Sequence, residues 1–220
     1  MRPDRIFKAA IFDLDGTLAY TAQDLLDSMN RMLAEYNYPP KNFTQMMSYI
    51  SCGEYDFVKN SLPAEVQLDL EQVERCRKTY VSIYNQHFLD STKLYPGLDK
   101  LLHDMQAAGI QLAVNTNKTQ EHAQAIINKL APGVFAILKG DGHYPSKPDP
   151  TGALEIAQEF GVDPADICYI GDSNIDMETA GNAGMFAMGV KWGYRPDLLE
   201  SAGAKTIVET AEEIAPWFGL

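Results

Sequence analysis

Hydrophobic residues follow two different patterns along this chain. Six short apolar runs, each bounded by polar or turn residues, predict buried strands at residues 9–12, 110–114, 134–138, 167–170, 185–190 and 206–208. Between the later runs, apolar residues recur every three or four positions, which predicts amphipathic helices. Strands that alternate with helices are typical of a parallel sheet covered on both faces. The pattern therefore predicts an α/β fold with a Rossmann-like parallel sheet.

The segment from residue 21 to residue 89 differs, because it has helical periodicity and no strand signal. Thr21 is expected to cap its first helix, with Asp24 three residues on, and residues 64–88 are expected to form one long helix. This block separates the first strand from the others. We therefore expect residues 1–20 and 90–220 to form a catalytic core. Residues 21–89 are expected to form a helical cap domain over the carboxyl ends of the strands.

The stretch IFDLDGTL places two acidic residues directly after the first predicted strand. Asp13 and Asp15 follow the apolar run, and Gly16 forces a turn directly after them. Two carboxylates at the end of a buried strand are costly unless a cation compensates their charge. Mg²⁺ prefers oxygen ligands and keeps waters that a substrate phosphate can replace. The stretch therefore predicts a magnesium site, although an isolated motif of this kind is also compatible with a solvated turn.

Three further polar clusters fall at or near predicted strand ends or helix starts. They contain Thr116 and Asn117, then Lys147, and finally Asp172 with Asp176. Each cluster alone is compatible with an ordinary turn or helix cap. Because a parallel sheet gathers the loops at the carboxyl ends of its strands, we expect all of them to meet Asp13 and Asp15 in one site.

The residue types in this predicted site suit phosphoryl transfer. Asp13 can act as a nucleophile that forms an acyl-phosphate, and Asp15 can protonate the leaving alkoxide and then deprotonate a water. Thr116 and the backbone of Asn117 can donate hydrogen bonds to phosphoryl oxygens. Lys147 can neutralise the nucleophile and the phosphate together.

Composition limits the partners of the protein. A net charge of −12 argues against DNA, RNA or an anionic membrane as a partner, and it requires a local cation for any anionic substrate. No apolar run approaches the roughly 20 residues of a membrane helix, and no signal peptide is predicted. The three scattered cysteines are typical of a cytoplasmic protein, and the four histidines are expected at the surface or in the cap.

The order of these motifs resembles the haloacid dehalogenase-like hydrolase superfamily, and most of all its phosphoglycolate phosphatase branch. The resemblance implies that Asp13 is the nucleophile and Asp15 the general acid and base. It implies Mg²⁺ as cofactor and a small phosphorylated metabolite, with 2-phosphoglycolate favoured, as substrate. The metal ligands that it implies are Asp13, the Asp15 carbonyl and Asp172. The phosphate-binding residues that it implies are Thr116, Asn117 and Lys147. It gives a supporting role to Gly16, Ser173 and Asp176.

Some features depart from that pattern or leave alternatives open. Asn115 is polar where the strand end is usually apolar, and the region around Cys52 and Gly53 corresponds to the position of a substrate loop of the cap. A sugar phosphomutase similar to β-phosphoglucomutase and a pyrophosphatase are alternative enzymes. A phospho-receiver signalling module is the alternative outside enzymes. A monomer and a homodimer are both compatible with the sequence.

Overall fold

The structure is a computed structural model that describes residues 5–47, 49–50, 53–142 and 145–220. Its contacts divide the chain into two compact units. One combines the residues up to Tyr20 with Leu94–Leu220, and the other is Thr21–Lys93. The role of the second unit as a cap stays a prediction.

A six-stranded sheet forms the centre of the first unit. Its strands are β1 (Ala9–Phe12), β4 (Gln111–Thr119), β5 (Ile137–Asp141), β6 (Ile167–Gly171), β7 (Phe186–Val190) and β8 (Thr206–Val208). They lie in the order β5-β4-β1-β6-β7-β8, and every pair is parallel. This confirms the predicted α/β fold. Two further strands of two residues each, β2 (Ala19–Tyr20) and β3 (Lys93–Leu94), form a separate two-stranded sheet.

Helices flank the six-stranded sheet. They are α5 (Leu98–Ala107), α6 (Gln120–Leu130), α7 (Thr151–Phe160) and α8 (Asn174–Asn182). Strand β1 is buried along its whole length, as its run of apolar residues predicts. In the register of the sheet, Phe12 pairs with Val114 of β4 and with Ile170 of β6. The residues that follow these three positions therefore emerge at one edge of the sheet.

The bounds of several elements differ from the prediction. Strand β5 begins at Ile137 rather than at residue 134, because the register of the sheet pairs Ile137 with Ala113. Strand β4 continues beyond the predicted end at residue 114 to Thr119. The apolar periodicity of residues 211–217 predicts one helix, but the structure has two short 3₁₀ segments there, Ala211–Glu213 and Ala215–Phe218. Pro216 has no amide hydrogen with which to continue an α-helical ladder.

The second unit is built from α1 (Ala22–Glu35), α2 (Phe43–Met47), α3 (Glu54–Ser61) and α4 (Leu70–His87). The apolar faces of α1 and α4 pack together around Met29, Met32 and Tyr80. The long helix begins at Leu70 rather than at residue 64, because Asp69 caps it by accepting hydrogen bonds from two backbone amides. No helix in the described part of the chain has the length and apolar character needed to cross a membrane.

The predicted capping pair at the start of α1 is wrong. The Thr21 side chain makes no capping hydrogen bond. Asp24 instead accepts hydrogen bonds from the backbone amides of Ser91 and Thr92 and from the Thr92 hydroxyl, at 2.7–3.1 Å. Only 2% of Asp24 is exposed. This buried carboxylate therefore joins the two ends of the helical unit.

We expect Asp24→Ala to lower the free energy of unfolding of the helical unit by about 2–3 kcal/mol, because it leaves buried donors of Thr92 unsatisfied. Urea unfolding followed by circular dichroism measures this change. Asp27→Ala is the matched control, since Asp27 lies on the same helix but is exposed, and it should stay within about 0.5 kcal/mol of the unaltered protein. Equal effects of the two substitutions would contradict the structural role of Asp24.

Candidate active site

The carboxyl edge of the sheet gathers the predicted site residues. Asp13 follows β1 directly, and its backbone amide donates to the carbonyl of Ile170 at 2.9 Å. Thr116 lies near the end of β4, and Asp172 follows β6. All of these side chains are buried. Buried polar groups of this kind are costly unless they are paired, so their partners indicate what the site does.

Lys147 places a cation at the centre of the site. Its Nζ lies 2.7 Å from Oδ1 of Asp13 and 2.6 Å from Oδ1 of Asp176. The Lys147 side chain is only 6% exposed, which excludes the alternative of a surface turn. Burial disfavours the charged ammonium, but the two carboxylates outweigh that effect and raise the pKa of Lys147. The lysine therefore carries a fixed positive charge beside Asp13.

The Asn117 side chain holds the backbone of Lys147. Its Nδ2 donates to the Lys147 carbonyl at 3.1 Å, and its Oδ1 accepts from the Lys147 amide at 2.7 Å. The prediction assigned the Asn117 backbone to phosphate binding and gave its side chain no role. This pair of hydrogen bonds fixes the loop that carries the lysine, across 30 residues of sequence. No local pattern in the sequence indicates such a partner.

Asp176 organises the turn after β6. Its Oδ2 accepts from the Ser173 hydroxyl at 2.7 Å, and from the backbone amides of Ser173 and Asp172 at 3.0 and 3.1 Å. Ser173 in turn caps α8 and completes a reciprocal capping box with Asp176. Both oxygens of Asp176 are thus already engaged, one by this turn and one by Lys147. The arrangement fits the predicted supporting role.

Asp172 is held by groups from two loops. Its Oδ1 accepts from the Thr17 hydroxyl at 3.0 Å, and its Oδ2 accepts from the Tyr194 amide at 2.6 Å. Gly16 has a φ of +90°, and a Cβ there would collide with the Asp172 carboxylate. Glycine is therefore required at this turn both for its backbone conformation and for close approach.

The charges of the site suit a divalent cation. Asp13, Asp172 and Asp176 each offer an oxygen, and these atoms all lie within 4.8 Å of one another. Burial raises the pKa of Asp13 to about 7, with a further contribution from the negative charge of Asp176 and opposition from Lys147. Burial also raises the pKa of Asp172 well above its usual range. One ammonium does not compensate these carboxylates, and a hard cation with oxygen ligands fits the remaining charge.

Asp15 lies beside a lysine that the sequence analysis did not assign to the site. Both carboxylate oxygens of Asp15 accept from Nζ of Lys118, at 3.1 and 3.0 Å. His122 is half-buried within electrostatic reach of this pair, and burial together with the charge of Lys118 lowers its pKa. His122 lies on α6 of the first unit and is only partly exposed at the surface. The signal for both residues was their position just after the Thr116 motif.

The unusual polar residue at the end of β4 has a buried partner. Oδ1 of Asn115 accepts a hydrogen bond from the hydroxyl of Tyr169 at 2.9 Å. The Tyr169 ring is fully buried, and Nζ of Lys147 lies 5.9 Å from its centre. An apolar residue at position 115 would leave the tyrosine hydroxyl without this acceptor. The departure from the family pattern is therefore explained by Tyr169.

The substrate loop predicted for the cap belongs to the helical segment at residues 21–89. Cys52 and His143 lie outside the described residues. Gly53 precedes α3 with a φ of +81°, and its assignment to a substrate loop stays a prediction. Arg75 on α4 donates hydrogen bonds to Glu71 and Gln72 of its own helix.

Comparisons with known proteins identify the family to which this chain is similar. The family model described as haloacid dehalogenase-like hydrolase matches residues 10–190. A phosphoglycolate phosphatase from Caulobacter vibrioides is 30% identical over 90% of this chain and 85% of its own length. An N-acetylmuramic acid 6-phosphate phosphatase from Pseudomonas aeruginosa is 31% identical over 94% and 92%. A crystal structure from Haemophilus somnus, described as a predicted phosphoglycolate phosphatase, has a TM-score of 0.87 and 26% identity over 94% and 96% of the two chains.

The chain belongs to the haloacid dehalogenase-like hydrolase family. The matched residues 10–190 contain Asp13, Asp15, Lys147 and Asp172. The protein is therefore an enzyme of the hydrolase class, and its relatives include phosphatases that resemble it along most of their length.

The raised pKa of Asp13 predicts how the stability of the metal-free protein depends on pH. Between about pH 4 and pH 7 the folded protein binds a proton at Asp13 that the unfolded chain releases, so the free energy of unfolding falls as pH rises. Asp13→Asn removes this group. Relative to Asp13→Asn, the unaltered protein should lose stability across this range, as measured by urea unfolding in EDTA.

Mg²⁺ should reverse this loss in the unaltered protein, and more strongly at about pH 8 than at about pH 5, because the metal competes with protons for the same carboxylates. Parallel pH profiles for the two proteins, unchanged by Mg²⁺, would contradict both the raised pKa and the metal site.

Proposed function

We propose that this enzyme is a Mg²⁺-dependent phosphatase that hydrolyses a small phosphomonoester through an aspartyl-phosphate intermediate. The observation that carries the proposal is the buried contact of Lys147 with Asp13, beside the carboxylates of Asp172 and Asp176. A nucleophilic carboxylate, a fixed cation and a set of metal ligands are the components that phosphoryl transfer requires.

The first chemical step forms the intermediate. Oδ of Asp13 attacks phosphorus, the bond from phosphorus to the ester oxygen breaks, and the leaving alkoxide takes a proton from Asp15. Lys147 neutralises the negative charges of the nucleophile and of the phosphoryl oxygens. The Thr116 hydroxyl and the backbone amide of Asn117 donate hydrogen bonds to those oxygens. Mg²⁺, held by Asp13, the Asp15 carbonyl and Asp172, would neutralise further charge on the phosphoryl group.

The second step restores the enzyme. Asp15, now a carboxylate, removes a proton from a water that attacks phosphorus of the aspartyl-phosphate. The bond between phosphorus and Asp13 breaks, inorganic phosphate leaves, and Asp15 is protonated again. The same side chain thus serves as acid in one step and as base in the other.

Similarity to relatives leaves two substrates to compare. Phosphoglycolate phosphatases support 2-phosphoglycolate as the favoured substrate. N-Acetylmuramic acid 6-phosphate is the second candidate, because the phosphatase of that name is 31% identical to this chain, against 30%, over a slightly larger share of both sequences. Both molecules are phosphomonoesters of primary alcohols that also carry a carboxylate. In our proposal the helical unit acts as the cap that distinguishes such leaving groups.

Phosphate release tests the proposal. The assay compares 2-phosphoglycolate, N-acetylmuramic acid 6-phosphate, pyrophosphate, β-glucose 1-phosphate and nucleoside monophosphates, each with Mg²⁺ and with EDTA. We expect Mg²⁺-dependent release with the highest kcat/KM for 2-phosphoglycolate. A preference for N-acetylmuramic acid 6-phosphate keeps the phosphatase and changes its substrate. Isomerisation of the sugar phosphate without release identifies a mutase, and no turnover of any compound by the folded protein rejects the enzyme proposal.

Asp13→Asn should lower kcat by roughly 10⁴-fold or more, because an amide is a poor nucleophile and cannot form the aspartyl-phosphate. Circular dichroism should show an unchanged fold. Asp99→Asn is the matched control, since Asp99 is an exposed residue of α5, and its kcat should stay within about twofold of the unaltered enzyme. Turnover of unaltered magnitude in Asp13→Asn would reject Asp13 as the nucleophile.

A further inference from the structure

The pairing of Lys118 with Asp15 is more specific than a general electrostatic contact. One ammonium group lies within 3.1 Å of both oxygens of the carboxylate, so it constrains the rotation of the carboxylate as well as its position. Only 6% of the Lys118 side chain and 17% of the Asp15 side chain are exposed. Solvent therefore screens this ion pair far less than the surface pairs of the protein.

Both backbones around the pair are fixed. The turn that carries Asp15 closes through hydrogen bonds from the amides of Leu18 and Ala19 to the Leu14 carbonyl, at 3.0 and 2.9 Å. The amide of Lys118 donates to the hydroxyl of Thr116 at 3.2 Å. Lys118 thus connects the proposed phosphate-binding residue to the proposed acid and base.

Stability alone is a poor explanation for this lysine. Removing an ammonium and a carboxylate from water costs about as much as their attraction returns, and apolar residues at such positions often give equal stability. The nucleophile already has its own ammonium partner, Lys147, from the loop before α7. What Lys118 adds is a defined orientation of the Asp15 side chain, because one ammonium contacts both of its oxygens.

We propose that Lys118 is a positioning residue that orients the Asp15 carboxylate toward the oxygen of the leaving group. This inference rests on the proposed phosphatase function. Proton transfer by a well-placed group accelerates such a step by about 10²–10⁴-fold, and the benefit depends on hydrogen-bond geometry. Loss of Lys118 should therefore matter most when the leaving group needs the proton.

Leaving groups of different basicity provide a readout that general structural damage would not produce. Departure of an alkoxide from an alkyl phosphomonoester requires protonation, whereas p-nitrophenolate leaves readily without it. The value of kcat/KM reports the steps through the first departure of the leaving group. We expect Lys118→Met to lower kcat/KM for the best alkyl substrate by about 30–100-fold, and for p-nitrophenyl phosphate by less than about fivefold.

Three further variants complete the experiment. Lys118→Arg, which keeps a cation and several donors, should restore most of the activity toward the alkyl ester. Lys118→Gln should show an intermediate loss with the same selectivity, and it serves as the test if Lys118→Met does not fold. Lys191→Met is the matched control on an exposed lysine of the same unit, and both rates should be unchanged.

The remaining outcomes distinguish the role of Lys118 from the proposed phosphatase function. Equal losses for the alkyl and aryl substrates, or no loss for either, would overturn the role of Lys118 while leaving the phosphatase proposal intact. Failure of the unaltered enzyme to hydrolyse any phosphomonoester would instead reject the proposed function itself.

Discussion

The candidate site depends on the buried ammonium of Lys147 between Asp13 and Asp176. A lysine removed from water is costly unless several oxygens surround it, and the two carboxylates are equally costly without the lysine. Each neighbouring feature fixes one member of this group. The side-chain amide of Asn117 holds the backbone of Lys147, and the turn after β6 holds Asp176. The register of the sheet places Asp13.

Negative charge exceeds positive charge at this edge of the sheet, and the excess explains two properties together. Burial raises the pKa of Asp13 to about 7 because its charge is incompletely compensated. The same excess of negative charge makes the cluster of Asp13, Asp172 and Asp176 suitable for a divalent cation, whose positive charge would compensate it. A protein with a net charge of −12 also needs such local cations to receive an anionic phosphate.

In our proposal, the reaction and the choice of its substrate depend on different units of the chain. The first unit contains every residue that the proposed phosphoryl transfer uses, and its fold is shared with relatives that are named for different substrates. Identity of 30% and 31% to two such relatives does not distinguish a small hydroxy acid from an amino sugar as the leaving group. Proteins of one fold commonly keep a reaction and change the groups that select its substrate.

The sequence by itself determined the parallel sheet and the positions of the polar motifs at its edge, because apolar periodicity and turn residues act over a few neighbouring residues. Only the tertiary structure decided which side chains meet. Asp24 bonds to residues 67 and 68 positions away rather than capping its own helix, and Asn115 meets Tyr169 across 54 positions. Lys118 reaches Asp15 across 103 positions. Such partners depend on how distant segments of the chain pack together, which no local pattern encodes.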